Sequence, residues 1–64
     1  MKLAEVMKTK KVTAQQLADI SGIPKRTIEG YRAGRREPSF SVGLIIAKAL
    51  DVDPYELLDE VNEQ

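Results

Sequence analysis

Three charged residues, Lys25, Arg26 and Glu29, lie within five positions of one another and next to a glycine, Gly30. Arg and Lys can donate hydrogen bonds to guanine O6 and N7, and Arg can do so with two bonds at once. Glu29 could accept a hydrogen bond from cytosine N4, or it could orient Lys25 or Arg26 through a local ion pair. Glycine offers no side chain, but it permits close approach of its backbone to a base or phosphate. These residue types fit the reading of base edges, and they also fit an ordinary solvated helix face.

The cluster falls within residues 13–34, which predict two short helices joined by a tight turn. Thr13 is the expected N-cap of the first helix, because its hydroxyl can accept a bond from a free backbone N–H, and Gln16 completes a capping box. Gly22 can take the positive φ of a helix end, and Pro24 fits the first turn of the second helix. The side chains predicted to face inward are Leu17, Ala18, Ile20, Ile28 and Tyr31.

The inward side of the second helix predicts which residues face solvent. With its two large apolar residues inside, a step of 100° per residue turns the opposite side outward. That outward set is Arg26, Glu29, Gly30 and Ala33, flanked by Lys25 at the N-terminal end. Two helices joined by a Gly-containing turn form a helix-turn-helix motif, whose second helix enters the DNA major groove. The predicted base-contacting residues are therefore Lys25, Arg26, Glu29 and Gly30.

The motif belongs to a longer pattern, which reads VTAQQLADISGIPKRTI, then GRREPS, then IAKALDVDPYELL. This pattern resembles the phage Cro/CI-type repressor (XRE) helix-turn-helix family over about residues 3–59. The resemblance implies an all-α fold, a compact five-helix lambda-repressor-like DNA-binding domain. It also implies phosphate contacts from the start of the second helix and from the loop after the third. The residues predicted to contact phosphates are Lys10, Lys11, Thr13, Gln15, Thr27, Arg35 and Arg36.

Near the motif the chain departs from the family pattern. Many members have glutamine where this chain has Ala14, so one brace of the recognition helix is missing. Some members pair a basic residue in the first helix with a glutamate near the end of the third, and the matching residues here are Met7 and Arg32. Because both partners differ, no charge is left unpaired in the core, and Arg32 is expected to point outward.

The whole chain predicts a single domain, residues 1–64, without a credible strand. The five predicted helices span about residues 2–9, 14–20, 24–33, 40–50 and 54–61. Ser39 is the expected N-cap of the fourth helix, and Asp53 followed by Pro54 opens the fifth. The fifth helix is predicted to add an apolar stripe of Tyr55, Leu57, Leu58 and Val61.

The fourth helix is apolar nearly all round, which is typical of a helix buried on two sides. Its predicted core stripe is Phe40, Leu44, Ala47 and Leu50. The second stripe is Val42, Ile45 and Ala49. We expect a homodimer with this second stripe in its interface, since repressors of this type usually bind DNA as two-fold dimers. Alternatively, the first and fifth helices cover both stripes within a monomer.

Charge is unevenly distributed, although the formal net charge is zero. Residues 1–40 contain nine Lys/Arg and four Asp/Glu, whereas residues 41–64 contain one Lys and six Asp/Glu. Such asymmetry indicates a basic binding face backed by an acidic one. Alternatively, the two halves form two ordinary solvated surfaces, which would have the same charge composition.

Cysteine and histidine are both absent, so the usual thiolate and imidazole nucleophiles and metal ligands are missing. We therefore expect no catalytic function, no metal and no other cofactor. No apolar run approaches the length of a membrane span, and we expect a cytoplasmic protein without membrane contact. The predicted function is a small transcriptional regulator, a repressor whose partner is a double-stranded DNA operator. The alternative is a helix-turn-helix antitoxin or accessory subunit that acts mainly through another protein.

Overall fold

The computed structural model describes residues 1–58, which form four α-helices and a short 3-10 helix. The α-helices are α1 (Leu3–Lys10), α2 (Ala14–Ser21), α3 (Lys25–Ala33) and α4 (Phe40–Leu50), and the 3-10 helix is Pro54–Leu57. Each α-helix begins and ends within one residue of the bounds predicted from the sequence. No strand occurs in this described part of the chain, so the predicted all-α fold is confirmed.

The prediction of a fifth α-helix is wrong over its described part. Pro54–Leu57 is a 3-10 turn, in which the Glu56 N–H donates to the Asp53 carbonyl at 2.8 Å. A capping box between these two residues closes the turn, and Leu58 already has extended backbone with φ −72° and ψ 141°. The remainder of that prediction, residues 59–61 with Val61 of the apolar stripe, lies outside the described residues. The described fold therefore has four α-helices where five were predicted.

Local capping explains why α2 begins at Ala14. Thr13 Oγ1 accepts a hydrogen bond from the Gln16 N–H at 3.1 Å, and Gln16 Oε1 accepts one from the Thr13 N–H at 2.9 Å. These reciprocal bonds satisfy two backbone donors that a helix start otherwise leaves unpaired. α2 then stops at Gly22, whose φ of 79° is in the left-handed region that glycine adopts readily. The predicted capping box and glycine stop are both confirmed.

The core lies where the helices converge. α1 and α2 each pack against α3 and α4, and the 3-10 helix packs against α1 and α4. The Lys2 N–H donates to the Leu57 carbonyl at 2.8 Å, which fastens the 3-10 helix to the start of α1. Burying each large apolar side chain stabilises the domain by roughly 1.5–3 kcal/mol. The buried residues are Leu3, Met7, Ala14, Leu17, Ile28, Ile46, Ala47, Leu50 and Leu57.

Three side chains predicted to face inward are exposed. They are Ile20 (62%), Phe40 (83%) and Leu44 (40%). On α4 the buried residues are instead Ile46, Ala47 and Leu50. At 100° per residue, this buried stripe is rotated by roughly 60° from the predicted one. Because α4 is apolar on nearly every side, its periodicity does not determine which side is buried. Packing against the neighbouring helices determines it.

Candidate nucleic-acid interface

α3 begins with two exposed cations, Lys25 and Arg26. Pro24 is the N-cap and not the first helical residue that was predicted, so α3 begins one residue later than predicted. The Pro24 carbonyl accepts the N–H groups of Thr27 (3.0 Å) and Ile28 (3.1 Å). Ile28 is fully buried and anchors α3 on the core. Both cations therefore lie on the solvent side of the helix, at the end that usually enters a groove.

Five exposed cations on α3 and the following loop form a surface that we call the basic face. Its members are Lys25, Arg26, Arg32, Arg35 and Arg36. Within residues 1–58, no carboxylate oxygen lies within 4.0 Å of their side-chain nitrogens. Glu29 is half-buried, and it does not form the ion pair that was one of its two predicted roles. The basic face thus presents positive charge that no carboxylate of residues 1–58 neutralises at close range, which favours anionic partners.

Gly30 does not face outward as predicted, because it is buried. A Cβ at this position would lie 2.9 Å from Cδ and 3.2 Å from Cγ of Arg36. The helical wheel describes α3 alone, whereas the chain after α3 folds back and covers this side of the helix. The prediction that Gly30 contacts a base therefore loses its geometric support.

The turn at Gly34 brings the loop back toward α3. Gly34 has a φ of 82°, and its N–H donates to the Tyr31 carbonyl at 3.1 Å. The next N–H, that of Arg35, donates to the Gly30 carbonyl at 2.9 Å, which completes a Schellman motif. The Arg36 N–H points at the same carbonyl, at 3.3 Å. Backbone bonds thus hold both loop arginines beside the C-terminal half of α3.

The start of α2 carries two of the predicted phosphate contacts. Thr13 is exposed, and its capping bond uses the hydroxyl oxygen as an acceptor, which leaves the hydroxyl hydrogen to donate. Gln15 is exposed as well, and its Nε2 donates to Asp19 Oδ1 at 3.0 Å. Between them Ala14 packs into the core with 4% exposure. Backbone N–H groups at a helix N-terminus favour an anion here.

The two lysines before α2 differ in their surroundings. Lys10 Nζ donates to the Asp51 carbonyl at 3.4 Å, where α4 ends. The negative end of a helix dipole attracts a cation, so this ammonium has a partner within the chain, which disfavours its predicted role at a phosphate. Lys11 is exposed in the left-handed conformation with a φ of 59°, and Thr27 is half-buried. Both remain predicted phosphate contacts.

The predicted second stripe of α4 is only partly exposed. Val42 and Ala49 pack against the core of their own chain. Ile45 is 45% exposed. Intramolecular packing therefore accounts for two of the three predicted interface residues without a second subunit.

A different apolar surface is open beside α4, and sequence reasoning missed it. It is a groove of about 360 Å³ between the start of α4 and the 3-10 helix. Four of its lining residues are exposed apolar side chains, and we call the surface they form the apolar groove: Phe40, Leu44, Tyr55 and Leu58. The sequence pattern predicts Phe40 and Leu44 in the core and Tyr55 and Leu58 in an α-helical stripe, which the 3-10 turn cannot form. The excess of apolar residues on α4 was the one signal for it.

The acidic part of the chain lies away from α3. Asp51, Asp53 and Glu56 are exposed at the end of α4 and around the 3-10 helix. Within residues 1–58, α3 contacts neither of these two elements. In the same described part, no helix is long and apolar enough to cross a membrane, and no three acidic side chains are grouped to hold a metal ion.

Comparison with known proteins gives a consistent family. The helix-turn-helix family model matches residues 3–57. Two proteins of Bacillus subtilis (strain 168) are similar over 63 residues: the HTH-type transcriptional regulator AnsR, 39% identical, and the uncharacterized HTH-type transcriptional regulator YqaE, 38% identical. The alignments cover 98% and 97% of this chain but 54% of each relative, so the chain spans about half the length of the curated relatives it matches. No solved structure matches the chain at a significant level.

Proposed function

This chain belongs to the XRE-type helix-turn-helix family, and we propose that it binds double-stranded operator DNA sequence-specifically as a small transcriptional repressor. α3 enters the major groove, where Lys25 and Arg26 donate to guanine edges. Glu29 accepts from cytosine N4 at the margin of the same face. The observation that supports this assignment is the exposure of both cations at the start of α3, with no carboxylate partner in the described chain.

Phosphate contacts flank the recognition helix on both sides. The start of α2 and the loop after α3 supply charge and N–H donors to the DNA backbone. The proposed contacts are Lys11, Thr13, Gln15, Thr27, Arg35 and Arg36. Lys10 is left out of this set because its ammonium bonds the end of α4. Each neutralised phosphate steepens the salt dependence of binding.

Repression follows from occupancy of the operator, which blocks access of the polymerase to the promoter. The two relatives are named transcriptional regulators, which supports the regulatory part of the proposal. A protein with this role acts in the cytoplasm, beside the DNA it binds.

Enrichment of randomised duplex DNA on the purified protein at near-physiological salt tests the proposal. We expect a motif to be recovered by the parent and lost by Lys25→Ala/Arg26→Ala, because each good base contact contributes about 1–3 kcal/mol of discrimination. Lys8→Ala/Lys48→Ala is the matched control, since it removes the same charge from exposed positions outside the basic face. Failure of the parent to enrich any motif, or an unchanged motif in the first variant, would overturn the proposal.

A homodimer is part of the same proposal, with half-sites about one helical turn apart. We assign its interface to the apolar groove. Phe40 and Tyr55 are 83% and 78% exposed, and aromatic side chains are enriched at protein interfaces. Because α3 contacts neither α4 nor the 3-10 helix in the described chain, an interface there leaves Lys25 and Arg26 on α3 open to DNA.

The second candidate is a protein-interaction module, such as an antitoxin or accessory subunit. The apolar groove favours it, because an exposed apolar surface also fits a different protein. The two candidates respond differently to the same variants. A complex with another protein survives Lys25→Ala/Arg26→Ala and is weakened by Phe40→Ser, whereas operator recognition is lost in the first variant.

A further inference from the structure

Gly30 is the one buried glycine of the described chain, and it lies in the middle of the proposed recognition helix. Glycine at such a position lowers helix stability relative to alanine, so its presence calls for a local reason. We infer that Gly30 is a positioning residue, a seat across which the methylene chain of Arg36 lies so that the guanidinium is presented to a DNA phosphate. This inference rests on the proposed DNA binding and adds a role for a residue that makes no DNA contact itself.

The contacts at this site define the seat. A Cβ on Gly30 would meet three atoms of Arg36, Cδ at 2.9 Å, Cγ at 3.2 Å and Cβ at 3.8 Å. Real Cβ atoms essentially never approach another heavy atom as closely as the first distance. Alanine therefore cannot occupy position 30 unless the side chain of Arg36 moves. Arg36 is exposed as a whole residue, so its side chain is accessible from solvent.

Backbone bonds hold the seat and the side chain in register. The Gly30 carbonyl accepts the N–H groups of both Arg35 (2.9 Å) and Arg36 (3.3 Å). The loop thus returns to the turn of α3 that contains Gly30, the residue without a side chain. Arg36 covers the surface that a residue at position 30 would otherwise occupy, so the loop supplies the cation for this part of the helix.

Substitution of Gly30 should shift Arg36 without unfolding α3. The clash falls on the outer carbons of a long, flexible and exposed side chain, which can rotate away at little cost. Gly30 has no positive φ, so alanine fits its backbone and favours the helix. Gly30→Ala is therefore expected to melt at the same temperature or higher, while its DNA binding weakens.

A double-mutant cycle measures the coupling between the two residues. DNA affinity is determined for the parent, Gly30→Ala, Arg36→Ala and the double variant, with the duplex that the parent enriches, over a series of salt concentrations. Loss of one charge-assisted bond corresponds to roughly tenfold weaker binding. We expect this loss in both single variants, with the slope of log K against log salt reduced by about 0.9 in each, as for one phosphate contact.

The double variant separates the inference from simpler explanations. Arg36→Ala removes Cγ and Cδ and leaves only Cβ, which lies at ordinary contact distance. Adding Gly30→Ala to Arg36→Ala should therefore cause no further loss of affinity. An equal loss from Gly30→Ala in both backgrounds would mean that the glycine serves close approach of its own backbone to DNA, and the inference would be overturned.

Three further results are informative. An unchanged affinity of Gly30→Ala, with the parent binding normally, overturns the seat and leaves the proposed function intact. A parent that binds no duplex removes the proposed function itself. If Gly30→Ala were to lose its helical circular dichroism, Arg36→Ala still decides, because an unchanged salt slope in that variant shows that Arg36 reaches no phosphate.

Discussion

The basic face and the apolar groove occupy different elements of one small domain, and they suit different kinds of binding. The basic face comes from one helix and the loop that follows it, and its cations have no close carboxylate in the described chain. The groove combines side chains from α4 and the 3-10 helix, two of them aromatic and more than three-quarters exposed. Charge acts over roughly 10 Å at 0.1 M salt, whereas apolar surfaces act only when water is expelled at contact.

This difference predicts that the basic face and the apolar groove make separate contributions to binding. The basic face can attract a polyanion before contact, and its contribution weakens as salt rises. The groove contributes only when a complementary apolar surface covers it, and its contribution is nearly independent of salt. Variants in the two regions should therefore separate into those that change DNA affinity and its salt slope and those that change the association state.

The largest loss of stability is expected from substitution of Ile28, the core residue beneath the basic face. Ile28 is fully buried, and truncating such a residue costs about 2–5 kcal/mol. Since small domains have total stabilities of about 5–15 kcal/mol, Ile28→Ala should lower the thermal midpoint sharply and weaken DNA binding through loss of the fold. Phe40→Ala removes an exposed side chain and should change the stability of the monomer by no more than about 0.5 kcal/mol. Thermal and urea unfolding at low protein concentration compare the two, and equal losses would show that the groove is part of the core.

The contrast between the regions also explains what could be predicted from the sequence. Both ends of α2, the end of α3 and the start of α4 follow from short-range signals, namely the capping residues Thr13 and Ser39 and the glycines Gly22 and Gly34. Such signals act within a few residues, so a local pattern is enough to recognise them. The exposed cations Lys25 and Arg26 follow from the same regular periodicity, once Ile28 fixes the inward side.

Features that depend on distant segments were missed. Gly30 is covered by Arg36 only because the chain reverses at Gly34, and a helical wheel of α3 does not include residues beyond the helix. Phe40 is exposed because packing among α1, α2 and the 3-10 helix selects another side of α4 for burial. At Pro54 the expected helix start is present, but the chain leaves the turn at Leu58. Sequence periodicity therefore locates elements better than it orients them.

The next largest effect tests which side of α4 carries the dimer interface. Phe40 lies on the groove, whereas Ile45 is 45% exposed and does not line it. An aromatic residue at the centre of an interface often contributes about 2 kcal/mol or more, so Phe40→Ser should raise the dimer dissociation constant roughly thirtyfold. Ile45→Ser, the matched control, should leave that constant unchanged. Sedimentation velocity over a concentration series decides, and dissociation by Ile45→Ser alone would assign the interface to the stripe of Val42, Ile45 and Ala49.

A smaller loss of stability is expected when the N-cap side chains of α2 and α4 are removed. Thr13 takes part in two reciprocal bonds of 3.1 and 2.9 Å, whereas Ser39 Oγ accepts a single bond from the Val42 N–H at 3.3 Å. Loss of an N-cap side chain costs about 0.5–2 kcal/mol, and we expect Thr13→Ala near the upper end and Ser39→Ala near the lower. Thr13→Ala should also weaken DNA binding, since Thr13 is a proposed phosphate contact. Urea unfolding and DNA titration of both variants measure this, and a greater loss of DNA affinity in Ser39→Ala would contradict the placement of the DNA-binding surface.

The smallest effect distinguishes two adjacent lysines that the sequence treats alike. Lys10 bonds the Asp51 carbonyl, so Lys10→Gln should lower stability by no more than about 0.5 kcal/mol and leave the salt slope of DNA binding unchanged. Lys11 has no such partner among the described residues, and Lys11→Gln should reduce that slope by about 0.9 without loss of stability. Glutamine removes the charge and keeps part of the aliphatic chain in both variants, so the comparison isolates charge. A reduced slope in Lys10→Gln would mean that its ammonium leaves α4 for a phosphate when DNA binds, and the boundary of the DNA-binding surface would then extend to the end of α1.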